Sequence, residues 1–373
     1  MADAVKTMAY AISGGVPWHG KGVPLTDEEC TDGARMMQAS RLGGWGLTKI
    51  QAGANVMNAD GEVSFLPADD KYWVMRTDEI DPAQADEEAN EAEDGMAVHE
   101  GPSYSHPLWG PVTSRYEVLQ NEEAFAFFEP AVEAGLIRYE TAIALQDGRR
   151  VCIMAKVVNS TKLVVPGDEV ELYLLLGTAH DGSSSVFFKP TGTRVVCQNT
   201  LNAALKENSE RNIGIPHTRK MREALKFLSE HVVKIHQRFD NVVEVYQAMA
   251  ATPVTEENAK LLLNFLRPDP AGGGSAAKAT EWRDAVMELT STSPGHETAE
   301  GTAWGLYNGV TYYLTHQYGR DEDTRFIANH WNVSAKVRRN AFEVFARVAR
   351  GEDIEQIIAS EPTPDTGDDA AAE

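Results

Sequence analysis

Histidine, serine and cysteine are the residues from which this chain of 373 residues would build a reactive centre. Their spacing decides what they can do. Trp18-His19-Gly20 lies within Val16-Pro-Trp-His-Gly-Lys-Gly-Val-Pro-Leu25, a loop stiffened by two prolines. An imidazole there would titrate near neutrality and is the best catalytic candidate. The simpler reading is a structural loop anchored by Trp18. His180-Asp181-Gly182-Ser183 suits acid-base work on paper but reads more simply as a hairpin turn. Ser183, Ser184 and Ser185 lack a Gly-x-Ser-x-Gly elbow, which argues against a hydrolase. Cys197 has no base fixed beside it and is expected to be a buried, inert thiol. His231 and His236, five apart, do not share a helical face. No phosphate-loop signature, CxxC pair or HExxH is present. We therefore expect no cofactor, no metal site and no catalytic residue.

Charge is the stronger signal. The formal net charge is -22 and opposes indiscriminate nucleic-acid binding by the molecule as a whole. Yet residues 186–239 hold 10 Lys and Arg against 4 Asp and Glu, whereas residues 1–100 hold 7 against 19. The candidate phosphate contacts in or beside this basic island are Arg194, Lys206, Arg211, Arg219, Lys220, Arg222 and Lys226. Asn199 and Thr200 join them as the expected cap of a helix whose N-terminal N–H groups would face an anion. Tyr173, Phe187 and Phe188 are aromatics available for base stacking. The bland alternative is a solvated helix face with a few salt bridges.

The elements that must position these residues follow from periodicity. Thr26 and Glu29 form a capping box before a short helix. Strand-like pieces at 46–51, 63–66 and 72–76 follow, the first two joined by the turn Asn58-Ala-Asp-Gly61. An acidic insertion occupies 81–95. A helix over 121–133 stops at Gly135. Tyr139–Leu145 and Arg150–Val157 flank Asp147-Gly148, a hairpin signal. Strands at 169–178 and 185–189 follow, the second broken by Pro190, and a helix is expected from about Asn199. Met221, Leu225, Leu228, Val232, Ile235, Phe239, Val242, Tyr246 and Met249 step by four and three. They predict one long helix, either packed on its own chain or joining two subunits. Further helices are expected at 255–268, 297–318, 321–329 and 334–350, with a flexible linker at 268–280.

The expected fold class is α+β: an antiparallel β-meander flanked by helices, preceded by a β-rich segment and followed by a helical region. The expected divisions are 1–99, 100–215, 216–350 and an acidic tail at 351–373. That last segment has eight acidic residues and no basic one. Three scattered cysteines fit a reducing cytoplasm, and no apolar run reaches membrane-span length.

Several stretches resemble the phage/plasmid-like proteins, a family defined by a domain of unknown function numbered 932. They are Val16–Val23, Ser114-Arg-Tyr-Glu-Val-Leu-Gln-Asn-Glu-Glu-Ala-Phe125, Tyr139-Glu-Thr-Ala with Gly148-Arg-Arg-Val, Asp181-Gly-Ser-Ser, Thr193-Arg-Val-Val-Cys-Gln-Asn-Thr-Leu201 and Gly301-Thr-Ala-Trp-Gly-Leu-Tyr-Asn-Gly-Val310. This resemblance implies a mobile-element origin and carries no activity. The order helix, meander, helix is also similar to single-strand annealing recombination proteins, which oligomerise and hold single-stranded DNA in a basic groove. The expectation is thus an oligomeric single-stranded DNA-binding or annealing protein, self-associating through the 221–249 helix, with the acidic tail free for a protein partner. The alternative is a non-enzymatic protein that modulates a host or phage complex through its acidic surface.

Overall fold

A computed structural model describes residues 8–12, 22–77, 109–197, 199–202, 213–229, 235–270, 276–331 and 333–360. Its frame is the meander. β6 (Ile137–Leu145), β7 (Arg150–Val157), β9 (Asp168–Ala179) and β10 (Val186–Arg194) run antiparallel in a nine-stranded sheet. Beyond β6 lie β1 (Met8–Ala11) and β2 (Val23–Leu25), which pair in parallel. β8 (Lys162–Val165) pairs with β9, while β11 (Asn199–Asn202) and β12 (Ile213–Ile215) both pair with β10. A second sheet of three strands is formed by β3 (Thr48–Met57), β4 (Val63–Met75) and β5 (Trp109–Val112).

Side chains alternate across a strand, so each meander strand has two faces. Leu172, Leu174 and Leu176 of β9 join Ile153 and Phe188 in the main core. Their neighbours Cys152, Leu175 and Phe187 point the other way, into a smaller cluster with Ile143, Leu145, Phe326 and Ile327. Burying each large apolar side chain stabilises by about 1.5–3 kcal/mol relative to exposure.

The hairpin at Asp147-Gly148 forms as expected, with Leu145 opposite Arg150. Gly148 has φ +84°, and a Cβ there would sit 3.0 Å from both Trp109 and Trp45. The Asn58–Gly61 turn also forms, but the strands it joins are much longer than the sequence pieces suggested. The 121–133 helix is two short ones, α2 (Asn121–Ala126) and α3 (Glu129–Glu133), after α1 (Gly33–Ala39). The Thr26–Glu29 capping box is present, but Asp32 caps α1 itself.

Three expectations are corrected. β10 is not broken at Pro190 but continues to Arg194. Pro190 stands opposite Leu174 of β9, and it falls between the two outer partners, since β12 pairs with residues 186–188 and β11 with 191–194. Second, no helix starts at Asn199: Val195–Cys197 turn, and Asn199–Asn202 return as β11. Strand pairing with β10 prevails over the local apolar spacing that suggested a helix. Third, the linker gives way to helix from Ala276. α7 (Ala276–Thr292) buries Ala279, Trp282, Val286 and Leu289, a run at helical spacing.

The remaining helices are α4 (Met221–Ser229), α5 (Ile235–Ala251), α6 (Glu256–Leu266), α8 (Ala303–Tyr312), α9 (Glu322–Trp331), α10 (Val333–Ala349) and α11 (Ile354–Ser360). A π-helical turn, Tyr313–Gln317, extends α8. The predicted seam spans α4 and α5. Met221, Leu225, Leu228, Phe239, Val242, Tyr246 and Met249 are all buried in the main core. Tyr246, for example, packs on Trp304 at 4.7 Å and on Phe342 at 5.8 Å between ring centroids. These seven seam residues are covered by their own chain rather than left open for a second subunit, and Val232 lies outside the described residues. No helix among the described residues is long and apolar enough to cross a membrane. The acidic insertion and residues 361–373 lie outside the described residues, as does the Trp18-His19-Gly20 loop.

Candidate functional site

Three loops meet at one end of the meander: residues 113–120 after β5, the β9–β10 turn at Asp181–Ser185, and Pro216–Lys220 between β12 and α4. They enclose an open cleft of about 450 Å³ lined by Arg115, Tyr116, Ser184, Ser185, His217 and Thr218, among others. Its floor is a neutral aromatic pair. Tyr116 stacks on His217 with centroids 4.4 Å apart, and its hydroxyl donates to the Ala179 carbonyl at 2.8 Å. His217 Nδ1 lies 2.9 Å from the Glu117 carbonyl, so it must carry the proton. Nε2 then accepts from the Thr178 hydroxyl at 3.4 Å. Burial lowers the His217 pKa, and burial raises that of Tyr116. Both groups therefore stay uncharged at neutral pH.

These bonds limit the chemistry. Ser184 Oγ donates to the Ser185 carbonyl, and Ser183 Oγ accepts from Arg150 at 3.2 Å. His217 has no nitrogen left for either serine, so no serine–histidine dyad forms. His180 is wholly buried, stacked on Trp109 at 5.6 Å, and burial pushes its pKa down to about 3. It is an uncharged interior residue and does not line the cleft. Cys197 is buried in the turn after β10.

The sequence-predicted cations that are described separate into three groups. Arg194 is buried without exposure, not at a surface. Its Nε and Nη2 donate to the two Asp168 carboxylate oxygens at 2.7 and 2.6 Å, and Nη2 also reaches the Gly295 carbonyl. Trp304 Nε1 and the Thr298 hydroxyl complete the carboxylate's shell at 2.8 and 3.0 Å. This network bolts β9 and β10 to the helical region, and it leaves Arg194 unavailable to a phosphate. Arg222 is exposed but neutralised by Glu123, with Glu117 at 3.8 Å. Arg219, Lys220 and Lys226 are exposed on and just before α4. Arg219 and Lys220 follow in sequence on Thr218, which lines the cleft, as does Arg115. Asn199 and Thr200 form no helix cap; the Thr200 N–H donates to Thr315 Oγ1 at 3.2 Å. Lys206 and Arg211 lie outside the described residues. Sequence reasoning missed Arg115, Tyr116 and His217 as one group. The first two stand in the Ser114–Phe125 stretch, but their closeness to a histidine about a hundred residues on is a tertiary fact.

The sheet's other polar features are internal. A bulge at Tyr139–Thr141 turns Glu140 inward, where it is 6% exposed and Oε2 has no hydrogen-bond partner. Burial raises its pKa to about 7 against the pull of Lys156 and Arg138. Neighbouring Glu171 instead accepts from Lys156, Tyr173 and Thr161, which hold it ionised despite burial. Tyr173 is thereby buried and turned from any surface. On the far side of β10, Lys189 donates to the His330 carbonyl at 2.8 Å and Arg338 to the Asn329 carbonyl at 2.7 Å. Those carbonyls end α9, whose dipole favours cations there. Among the described residues no cluster of three or more His, Cys, Asp or Glu could hold a metal ion.

The architecture is that of a mixed α+β protein with antiparallel sheets, a β-rich N-terminal part and C-terminal helices. Residues 109–342, covering the meander, the cleft loops and most helices, match the family described as a domain of unknown function, DUF932. The chain belongs to that family. No curated protein and no solved structure matches it.

Proposed function

We propose that this chain is a non-enzymatic protein that binds single-stranded nucleic acid along the rim of the Tyr116–His217 cleft. Recombination or replication of a mobile element is the setting we propose for it, resting on the sequence resemblance to phage and plasmid proteins. One observation carries the reading. Arg219 and Lys220, exposed cations of the basic island, follow directly in sequence on the cleft-lining Thr218, and Arg115 lines the same cleft. Three cations around an uncharged aromatic floor match what an unpaired strand offers: phosphates spaced along a backbone and bases with open faces. The interface excludes Arg194 and Arg222, whose charges are already matched by carboxylates. The serine and histidine bonding of the cleft supports binding without bond cleavage.

The test is fluorescence anisotropy of a labelled oligothymidylate. Three phosphate contacts give a single-strand salt slope of about −2, so affinity falls roughly twenty-fold between 50 and 200 mM salt. Failure of the protein to retain the oligonucleotide at 50 mM salt would sink the proposal.

A further inference from the structure

The β3–β4 hairpin is an arm. Over its distal half, Gly53–Met57 and Val63–Pro67, every residue is exposed. Five of these are large and apolar: Val56 at 42%, Met57 at 70%, Val63 at 62%, Phe65 at 53% and Leu66 at 62% exposure. Register places them on both faces. Met57 stands opposite Val63 and Asn55 opposite Phe65, so Met57, Val63 and Phe65 share one side. Val56 and Leu66 share the other. The Phe65 ring crosses Gly53, where a Cβ would fall 2.4 Å from it. Among the described residues β3 is also an edge strand, with β4 as its neighbour. Sheet edges are usually guarded by charge, proline or a cover. From Ile50 to Asn58 this edge has no charged residue and no proline.

We infer that the arm pairs with the same arm of a second copy of this chain, β3 against β3 in antiparallel register about a two-fold axis near Asn55. An occupant must supply both a strand edge and apolar side chains for two faces, and the arm itself offers both. Self-pairing through one patch is the isologous case that closes after two copies. Charge favours the register. The tip residues Asp60 and Glu62 of the two copies lie roughly 30 Å apart at the strand rise per residue. Each tip meets the Lys49 end of the other copy's β3. Ten distal residues per copy fall short of the roughly 20–30 of a standard interface, so the dimer is a weak one. A negative tip on a chain of net charge -22 disfavours an anionic membrane as the occupant. This surface is separate from the cleft and does not depend on nucleic-acid binding.

Sedimentation velocity of the full chain from about 1 to 100 μM tests it, the range set by a micromolar interface. We expect a shift from monomer to dimer across that range. Val56→Lys with Leu66→Lys abolishes the shift, whereas Leu261→Lys, at a 47% exposed site on α6, leaves it unchanged. Asn55→Cys links two copies covalently under mild copper oxidation, and Leu261→Cys does not. The native cysteines Cys30, Cys152 and Cys197 are buried and stay out of this reaction. A monomer at every concentration overturns the proposal. So does a dimer that survives the arm substitutions, or one in which Asn55→Cys fails to cross-link.

Discussion

Arg194 shows how far a residue's role can depart from its sequence neighbourhood. It sits in a basic stretch, yet its guanidinium is spent on Asp168 inside the protein. Removing one partner of a buried pair leaves the other charge without compensation, which costs about 3–5 kcal/mol. Arg194→Met should lower the stability to urea by that amount. Arg219→Met should change it by less than about 0.5 kcal/mol, as expected for an exposed site. Glu140 makes a second prediction. Its pKa rises from 4.5 to about 7 on folding, because burial opposes ionisation more than Lys156 and Arg138 favour it; Glu171 and Asp27 add to the rise. Below pH 4.5 the carboxyl is protonated in both states. Between pH 4.5 and 7 the unfolded chain releases the proton while the folded one keeps it, so stability falls as pH rises. The full window is worth about 3 kcal/mol at 1.36 kcal/mol per pKa unit. Glu140→Gln should remove that decline. Urea midpoints measured at pH 5 and pH 8 check it; an unchanged pH dependence in the variant would contradict the assignment.

At the scale of elements, turns were easier to read than lengths. Asp147-Gly148 and Asn58–Gly61 were legible because left-handed backbone demands particular residues. Gly148→Ala should cost at least about 1–2 kcal/mol, the price of the left-handed conformation alone, with the crowding of Trp45 and Trp109 adding to it. A thermal melt that matches wild type would contradict the observed packing. β11 was misread because Leu201 and Leu205 mimic a helical face, while its pairing with β10 is invisible locally. α7 was missed because Gly272-Gly-Gly-Ser275 masked the apolar run beginning at Ala279. The 221–249 seam was legible as a pattern of burial, but the pattern does not say whose surface does the burying. Tertiary structure supplied that answer, with Trp304 and Phe342 of the same chain.

For the whole molecule, net charge and local charge pull in opposite directions. An overall charge of -22 slows the approach of any polyanion, so exposed cations such as Arg115, Arg219 and Lys220 can attract phosphates only at short range. The cleft was only half legible: Arg219 and Lys220 stand in the basic island, but Arg115 and the Tyr116–His217 floor come from distant chain. In the proposed function Arg115, Arg219 and Lys220 hold phosphates. This is tested most directly by the salt dependence of oligothymidylate binding in the wild type and in Arg219→Ala with Lys220→Ala. The slope of log affinity against log salt should fall from about −2 in the wild type to about −0.7 in the variant, with one contact remaining. The same slope in both proteins would contradict it.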